Sequence, residues 1–149
     1  MKKADIIALT KDSKEIRKDI LSMIVRAHAS HIASSFSIVE ILVYLYSKVL
    51  NIDPKKPLDP NRDRLILSAA HMVPALYVTL SEFGYIPKED LMSLRSLGSK
   101  LQGHTNLDLE IGIETSGGSL GQGVGIAAGM AKSFKIYDKK SKVFCIVGD

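Results

Sequence analysis

Two short apolar segments place the strongest limit on how this chain can fold. Residues 64–67 and 142–147 each have the length and composition of a buried β-strand. Predicted helices occupy much of the chain between them, and strands that alternate with helices are typical of a parallel sheet. We therefore predict an α/β fold in which helices flank a parallel sheet.

The first two predicted helices differ in how they are buried. One spans residues 12–29 and begins with Asp12 and Glu15 in a spacing like that of a capping box. Its apolar residues fall on one face. The next spans residues 37–50 and carries apolar residues on nearly all of its surface. Such a helix is typically buried on most sides, within a core or at a subunit contact.

Glycine and proline mark the later helices. The helix predicted over residues 74–83 ends at Gly84, and the following one has Pro87 at its first position and Gly98 after its end. A further helix is predicted over residues 121–137. It carries a stripe of small residues that would let another backbone approach closely. The stripe consists of Gly121, Gly125, Ala128 and Gly129.

Length and composition indicate one domain of an intracellular protein. A chain of 149 residues has the size of a single domain. The single Cys145 cannot form an intramolecular disulfide, which fits a reducing compartment. The longest apolar stretch, residues 38–46, is far shorter than the ~20 residues that span a membrane, and no secretion signal is visible at the N-terminus. We therefore expect a soluble, cytoplasmic protein that does not bind membranes.

The charge pattern argues against a nucleic-acid-binding protein. The net charge is +4, and the lysines are scattered over both ends of the chain. They do not form the dense basic footprint that nucleic-acid binding requires. We therefore interpret the basic residues as a solvated surface.

Asp149 is the first candidate site residue, because it follows the second predicted strand directly after Gly148. Ligands of open α/β sheets bind beyond the carboxyl ends of the strands, and a glycine there lets a ligand approach the backbone. A carboxylate at this place suits a hard cation such as Mg²⁺ that carries a diphosphate. An ordinary helix N-cap or turn residue is the alternative interpretation of the same pattern.

A glycine pattern offers a competing interpretation, a fragment of a dinucleotide-binding oxidoreductase. Residues 123–128 satisfy G-x-G-x-x-A, and Asp149 follows a strand at about the ~20-residue spacing of a ribose-binding acid. That fingerprint requires a strand that runs directly into the first glycine. A polar loop, residues 114–119, stands there instead, so the pattern lacks its structural context.

Further motifs lie in five blocks: His31-Ile32-Ala33-Ser34-Ser35, residues 62–71, Leu101-Gln102-Gly103-His104, Ser119-Leu120-Gly121-Gln122-Gly123 and Val147-Gly148-Asp149. In their order and spacing, these blocks resemble the N-terminal, thiamine diphosphate-binding part of transketolase. The last block matches the opening of that family's Gly-Asp-Gly motif. The resemblance covers nearly the whole chain, and it is closest to the split type, in which the two halves of transketolase are separate chains.

The resemblance implies a thiamine diphosphate-binding fold and a transferase. Such an enzyme moves a two-carbon ketol unit from a ketose phosphate to an aldose phosphate. His31 and His104 are similar to the family's catalytic, substrate-facing histidines, which bind sugar hydroxyls and assist proton transfer. Asp149 is implied as a ligand of Mg²⁺. The residues implied in cofactor binding are His71, Gly118, Leu120, Gly148 and Asp149.

Several residues depart from the family pattern, among them Ser30, Ala33 and Ser34 around the first histidine, where glycines usually stand. Ala69 and Ala70 stand where Lys-Gly or Asn-Gly usually precedes the histidine, and Gly117 stands in place of a threonine. A Cβ at position 70 is expected beside the cofactor, and it disfavours a positive φ there. These changes leave a non-catalytic, transketolase-like remnant or interaction protein as an alternative.

The chain stops at the start of the Gly-Asp-Gly motif, so we expect residues 1–149 to form a single domain that is incomplete at its C-terminus. In the family, the glutamate that activates the cofactor lies in the other half of transketolase. We therefore expect ketol transfer only with the missing residues and a companion C-terminal chain, together with self-association. Exposed apolar surface is a further expectation.

Overall fold

A two-stranded parallel sheet organises the computed structural model, which describes residues 2–148. Its strands are β1 (Arg64–Leu67) and β2 (Val143–Ile146). They pair residue for residue, with Arg64 opposite Val143 at the start of the register. The predicted α/β fold with a parallel sheet is confirmed. The prediction that the second strand is buried is wrong for most of β2, in which only the last residue is buried.

Asp63, immediately before β1, fixes the start of both strands. Its Oδ1 accepts a hydrogen bond from the backbone N–H of Lys142 at 2.7 Å, just before β2. Its Oδ2 accepts one from the backbone N–H of Asn51 at 2.9 Å. The residue is buried, and hydrogen bonds to a charged group are among the stronger ones in proteins. The side chain therefore supports the register in which the two strands pair.

Helices and short turns make up most of the remaining regular structure. The α-helices are α1 (Lys3–Arg26), α2 (Ile32–Ser37), α3 (Val39–Tyr44), α4 (Val73–Glu82) and α5 (Gln122–Ile136). A π-helical turn covers Leu45–Val49, and 3-10 turns cover Ala70–Met72, Lys88–Ser93 and Leu109–Ile111.

Helix α4 lies at the middle of the hydrophobic core. Every residue from 73 to 80 is buried, and α4 packs against both α1 and α3. The face of α1 that enters the core carries Ile16, Ile20 and Ile24, which confirms the predicted apolar face. Gly84, at a φ of 83°, follows the end of α4 as predicted.

The predicted start of the first helix is wrong. Helix α1 begins at Lys3, and Asp12 lies within it rather than at its N-cap. The segment before Asp12 consists largely of residues that favour helix. The side chain of Asp5 also accepts a hydrogen bond from the backbone N–H of Lys2 at 3.1 Å, which satisfies a donor at the true N-terminus.

The continuous helix predicted over residues 37–50 is interrupted. Ile38 has a φ of −108°, which separates α2 from α3, and the segment continues into the π-helical turn. Within the described residues this segment is not buried on most sides, and its burial at a subunit contact stays a prediction. The side chains of Ile41 and Tyr44 are 51% and 46% exposed, because the core contacts one side of α3 only.

The helix predicted after Pro87 is a short 3-10 turn, Lys88–Ser93. Pro87 lies just before it rather than at its first position. The charge of Arg95 favours a place in the last turn of a helix, but its φ of 60° lies outside helical geometry. A backbone hydrogen bond from Arg95 N–H to the carbonyl oxygen of Leu101, at 2.8 Å, closes a loop instead.

Helix α5 confirms the helix predicted after Gly121, but its stripe of small residues packs against nothing among residues 2–148. At Gly125 and Gly129, a Cβ would meet no atom within 4 Å. The close contact involves Gly123, where a Cβ would lie 2.7 Å from the Cα of Ser68. The absence of a side chain at Gly123 therefore lets the start of α5 touch the end of β1.

Apolar side chains lie on the surface, as expected. Leu97 is fully exposed at a loop, and Leu120 and Tyr137 are 69% and 72% exposed. Across residues 2–148, no helix has both the length and the apolar character needed to cross a membrane.

Candidate cofactor site

A cavity of about 520 Å³ opens at the carboxyl ends of β1 and β2. Its walls come from the segments that follow each strand, from α2 and from the loop before α5. Cavities of this size hold small molecules, and ligands of α/β sheets bind at this end of the strands. The predicted site residues that line it are His71, Leu120 and Gly148, and the others are Ser34, Ser37, Ser68, Ala69, Met72, Gly121 and Val147.

The turn after β1 places His71 at this cavity. The backbone N–H of Ser68 donates to the carbonyl oxygen of Ile146 at 2.8 Å, which continues the sheet pairing by one residue. The backbone N–H of Met72 then donates to the carbonyl oxygen of Ala69 at 2.9 Å and forms the 3-10 turn. His71 is therefore held on a short, hydrogen-bonded turn between β1 and α4.

His31 approaches His71 from another part of the chain. The centroids of the two imidazole rings are 5.1 Å apart, with the rings tilted by 50°. His31 precedes α2 and has a φ of 73°, a left-handed conformation that non-glycine residues seldom adopt. Its carbonyl oxygen accepts the backbone N–H of Ser35 at 3.0 Å. Unusual backbone conformations of this kind are concentrated at functional sites.

The three predicted site histidines share one electrostatic environment. Burial lowers the pKa of His71, and repulsion from His31 and His104 lowers it further. Near pH 7 the imidazole of His71 is therefore mainly neutral, so that one ring nitrogen donates a hydrogen bond and the other accepts one.

The structure does not bring every predicted residue to the cavity wall. Gly118 is exposed, and a Cβ there would meet no described atom within 4 Å. Gly148 does line the cavity, and a Cβ there would make ordinary contact with Ala69 at 3.8 Å. Asp149 lies outside the described residues.

The glycine-rich loop before α5 is attached to the segment that carries His104. The backbone N–H of Gly117 donates to the carbonyl oxygen of Thr105 at 3.0 Å. The backbone N–H of Leu107 donates to Oγ of Ser116 at 2.9 Å. These bonds hold the loop and the histidine segment side by side.

A buried ion-pair cluster, which sequence reasoning did not identify, holds the other end of this loop. Nη1 of Arg62 is bonded to Oε1 of Glu114, and Nε of Arg64 lies 3.4 Å from Oε2. The side chains of Arg62 and Glu114 are only 6% and 4% exposed. Burial raises the pKa of Glu114, and the hydrogen bond from Arg62 opposes that rise. The run of charged residues just before β1 was the sequence signal for this cluster. Its partner, Glu114, is distant in the sequence, so the pairing could not be predicted.

Comparison with known proteins identifies the fold around this cavity. Residues 10–144 match the family model described as transketolase, thiamine diphosphate binding domain. The chain belongs to the transketolase family. It is 39% identical over 143 residues to a 6-deoxy-6-sulfo-D-fructose transketolase subunit of a Clostridium species, covering 96% of this chain and 52% of that relative. It is 36% identical over 137 residues to an apulose-4-phosphate transketolase subunit of Phocaeicola vulgatus, covering 92% of this chain and 48% of that relative.

Solved transketolase structures have the same arrangement of elements. The transketolase of Campylobacter jejuni superposes with a TM-score of 0.86 at 32% identity, over 95% of this chain and 23% of that enzyme. This chain spans about half the length of the two subunits named above.

The interpretation as a dinucleotide-binding oxidoreductase is not supported, because the family match covers the same glycines. Gly123 contacts Ser68, and a polar loop rather than a strand precedes it.

The cavity of this transketolase domain fits the family's cofactor. A neutral His71 and the backbone of Gly148 offer polar contacts to a ligand in the cavity, and Leu120 offers an apolar contact. A site that is mostly apolar with a few convergent polar groups suits a cofactor with aromatic rings and a diphosphate. The residues that line the cavity are therefore compatible with thiamine diphosphate.

Two departures from the transketolase pattern meet each other in space. Ala70 lies within a 3-10 turn without a positive φ and is fully buried. It is not part of the cavity wall, and the expectation that its Cβ adjoins the cofactor stays a prediction. Its Cβ instead lies 3.1 Å from the place that a Cβ of Gly117 would occupy. The methyl group at 70 and the missing side chain at 117 therefore complement each other.

Proposed function

We propose that the protein containing this chain uses thiamine diphosphate to transfer a two-carbon ketol unit from a ketose phosphate to an aldose phosphate. The observation that carries this proposal is the cavity at the ends of the two strands, in a domain whose family binds this cofactor. When bound, thiamine diphosphate would carry the two-carbon fragment between the two sugars. The residues of this chain would hold the cofactor and move protons.

His71, Gly118, Leu120 and Gly148 are proposed to hold the cofactor. The proximity of His71 and Gly148 to the strand ends supports a role at the diphosphate, and the exposed side chain of Leu120 supports an apolar contact with a ring. Asp149 is proposed as a ligand of Mg²⁺, which would carry the diphosphate. Carboxylate and diphosphate oxygens are the ligands that Mg²⁺ prefers.

His31 and His104 are proposed as the catalytic histidines. Both are exposed, and both lie near enough to His71 to affect its pKa. Neither lines the cavity itself, but His71 does. Exposed imidazoles near His71 would donate protons to a carbonyl oxygen of the substrate and accept them from a hydroxyl. Forming and breaking a carbon–carbon bond between two sugars requires both transfers.

A companion chain is proposed to complete the enzyme. The two subunit relatives named above are about half covered by this chain, and their names describe them as subunits. A C-terminal transketolase chain would then supply the remaining part of the site, and self-association would bring two such sites together. Sugar phosphates are the proposed substrates.

The test is cofactor binding and ketol transfer by the complete protein with its companion chain. We expect calorimetry with thiamine diphosphate and Mg²⁺ to saturate at one site per chain, and we expect transfer from a ketose phosphate to an aldose phosphate. If no cofactor binds, the proposal is wrong. Binding without transfer to any sugar phosphate would favour the non-catalytic relative.

Replacing His31 by asparagine should lower kcat about 100-fold while cofactor affinity changes little. Asparagine tolerates the positive φ of this position, so the change removes the imidazole without straining the backbone. His28 offers a matched control, since it also has a positive φ, of 47°, and lies in no family motif. His28→Asn should leave kcat within about twofold. Equal losses in both variants would argue against a catalytic role for His31.

A further inference from the structure

Three residues from distant parts of the chain meet in one closely packed contact beside the cavity. They are Ala70, Thr105 and Gly117, which we call the small-residue contact. A Cβ at Gly117 would lie 2.9 Å from Oγ1 of Thr105 and 3.1 Å from Cβ of Ala70. Ala70 is fully buried and Thr105 is 3% exposed. The contact therefore has no room for another carbon atom unless the backbone or a side chain moves.

Each member of the small-residue contact precedes or follows a proposed site residue. Ala70 precedes His71, Thr105 follows His104, and Gly117 precedes Gly118. A shift at the contact would therefore be transmitted through a single peptide unit to each site residue. Peptide units are planar and stiff, so such a shift could be absorbed only by rotation about the φ and ψ angles beside them.

The backbone on each side of the contact is fixed. The N–H of Gly117 donates to the carbonyl oxygen of Thr105 at 3.0 Å, and the carbonyl oxygen of Leu67, at the end of β1, lies 4.0 Å from the place of a Cβ at 117. Tyr77 of the central helix approaches the carbonyl oxygen of His104 with its hydroxyl, at 3.5 Å. The contact is thus held against the sheet and α4.

We propose that the small-residue contact is the positioning element that sets His71, His104 and Gly118 relative to one another. Its members do not need to touch the substrate or the cofactor. They act because the space between them is too small for a further carbon atom. The peptide units that join them to the site residues transmit any change in their position. This inference rests on the proposed function for its catalytic consequence, but the placement of the histidines can be measured without cofactor.

The test uses the complete protein and the resonances of its imidazole rings, recorded without cofactor. We expect Gly117→Ala to shift the ring resonances of His71 and His104 while those of His28 stay in place. Gly129→Ala is the matched control, because a Cβ there meets no described atom within 4 Å. It should move none of these resonances. Unmoved His71 and His104 resonances in Gly117→Ala would overturn the proposal.

Rescue separates positioning from simple loss of stability. Because misplacement of a catalytic group by about 1 Å can cost 10²-fold in rate, we expect kcat in Gly117→Ala to fall at least about tenfold. Adding Ala70→Gly removes the Cβ that lies 3.1 Å away, so the new methyl group can shift into the freed space and away from Oγ1 of Thr105. The double variant should therefore return to within about threefold of the wild-type kcat. A double variant no better than Gly117→Ala would contradict the inference.

Two further variants keep the test decisive if Gly117→Ala fails to fold. Ala70→Gly alone removes volume from the contact, so it should shift the same two histidine resonances without overpacking. Thr105→Val keeps the volume and replaces Oγ1, which has no hydrogen-bond partner among the described residues. It should leave the resonances in place.

Failure of the proposed function can be told apart from failure of this inference. If the wild-type protein binds no thiamine diphosphate, the proposed function is wrong, and the histidine resonances still test the inference.

Discussion

Replacing Glu114 by glutamine should lower the free energy of unfolding by about 3–5 kcal/mol. The carboxylate is almost fully buried between the guanidinium groups of Arg62 and Arg64. An amide has no charge, so the buried guanidinium group of Arg62 would lose the carboxylate that pairs with it. Arg64, which Asp59 and Asp63 also attract, would lose one of its counter-charges. The cost of leaving buried charges unpaired is much larger than the net contribution of an intact buried pair.

Urea unfolding of the complete protein measures this loss, and Glu110→Gln is the matched control. Glu110 lies in the same segment, but its side chain is 72% exposed and lies 3.8 Å from Nζ of Lys100. Exposed pairs contribute about 0–1 kcal/mol, so the control should change stability by no more than that. Similar losses in the two variants would mean that the buried cluster does not stabilise the fold.

Replacing Gly123 by alanine should lower the free energy of unfolding by about 3 kcal/mol. Its Cβ would lie 2.7 Å from the Cα of Ser68 and 2.8 Å from the Cβ of that residue. Ser68 directly follows β1 and is held by its backbone hydrogen bond to Ile146, so these two atoms cannot turn aside as a flexible side chain would. Helix α5 would therefore have to move away from the sheet.

Gly125→Ala is the control for this change, because it lies in the same helix. A Cβ at Gly125 would meet no described atom within 4 Å, and alanine favours helix over glycine by about 1 kcal/mol. The control should therefore raise the unfolding free energy, whereas Gly123→Ala lowers it. Unfolding curves of both variants, measured under identical conditions, test this opposition. A stabilising Gly123→Ala would show that α5 does not touch β1 closely.

Local sequence patterns predicted the sheet and the central helix well. The apolar run of β1 and the stop at Gly84 depend on neighbouring residues only, so they can be read from the sequence. The interruption at Ile38 and the 3-10 turn after Pro87 were missed. Both depend on how the chain packs against α1 and α4, which hydrophobic periodicity does not describe.

The candidate site was predictable only in part. Family motifs indicated His31, His71 and His104, and the imidazole rings of His31 and His71 lie 5.1 Å apart in the structure. The motifs gave no sign that Glu114 would join Arg62 within the interior. The sequence also did not predict that Ala70 and Gly117 complement each other in volume. Each looks like an independent departure from the family pattern until the structure shows the two positions side by side.

The pairing of β1 with β2 has a consequence for the order of folding. The strands are far apart in the chain, since Asp63 beside β1 bonds to Lys142 beside β2 across 79 residues. Contacts between such distant segments form slowly, because a long loop must close before they are gained. The cavity lies at the ends of both strands. The cavity of a nascent chain is therefore incomplete until β2 has docked, and a ligand at this place would slow the departure of β2.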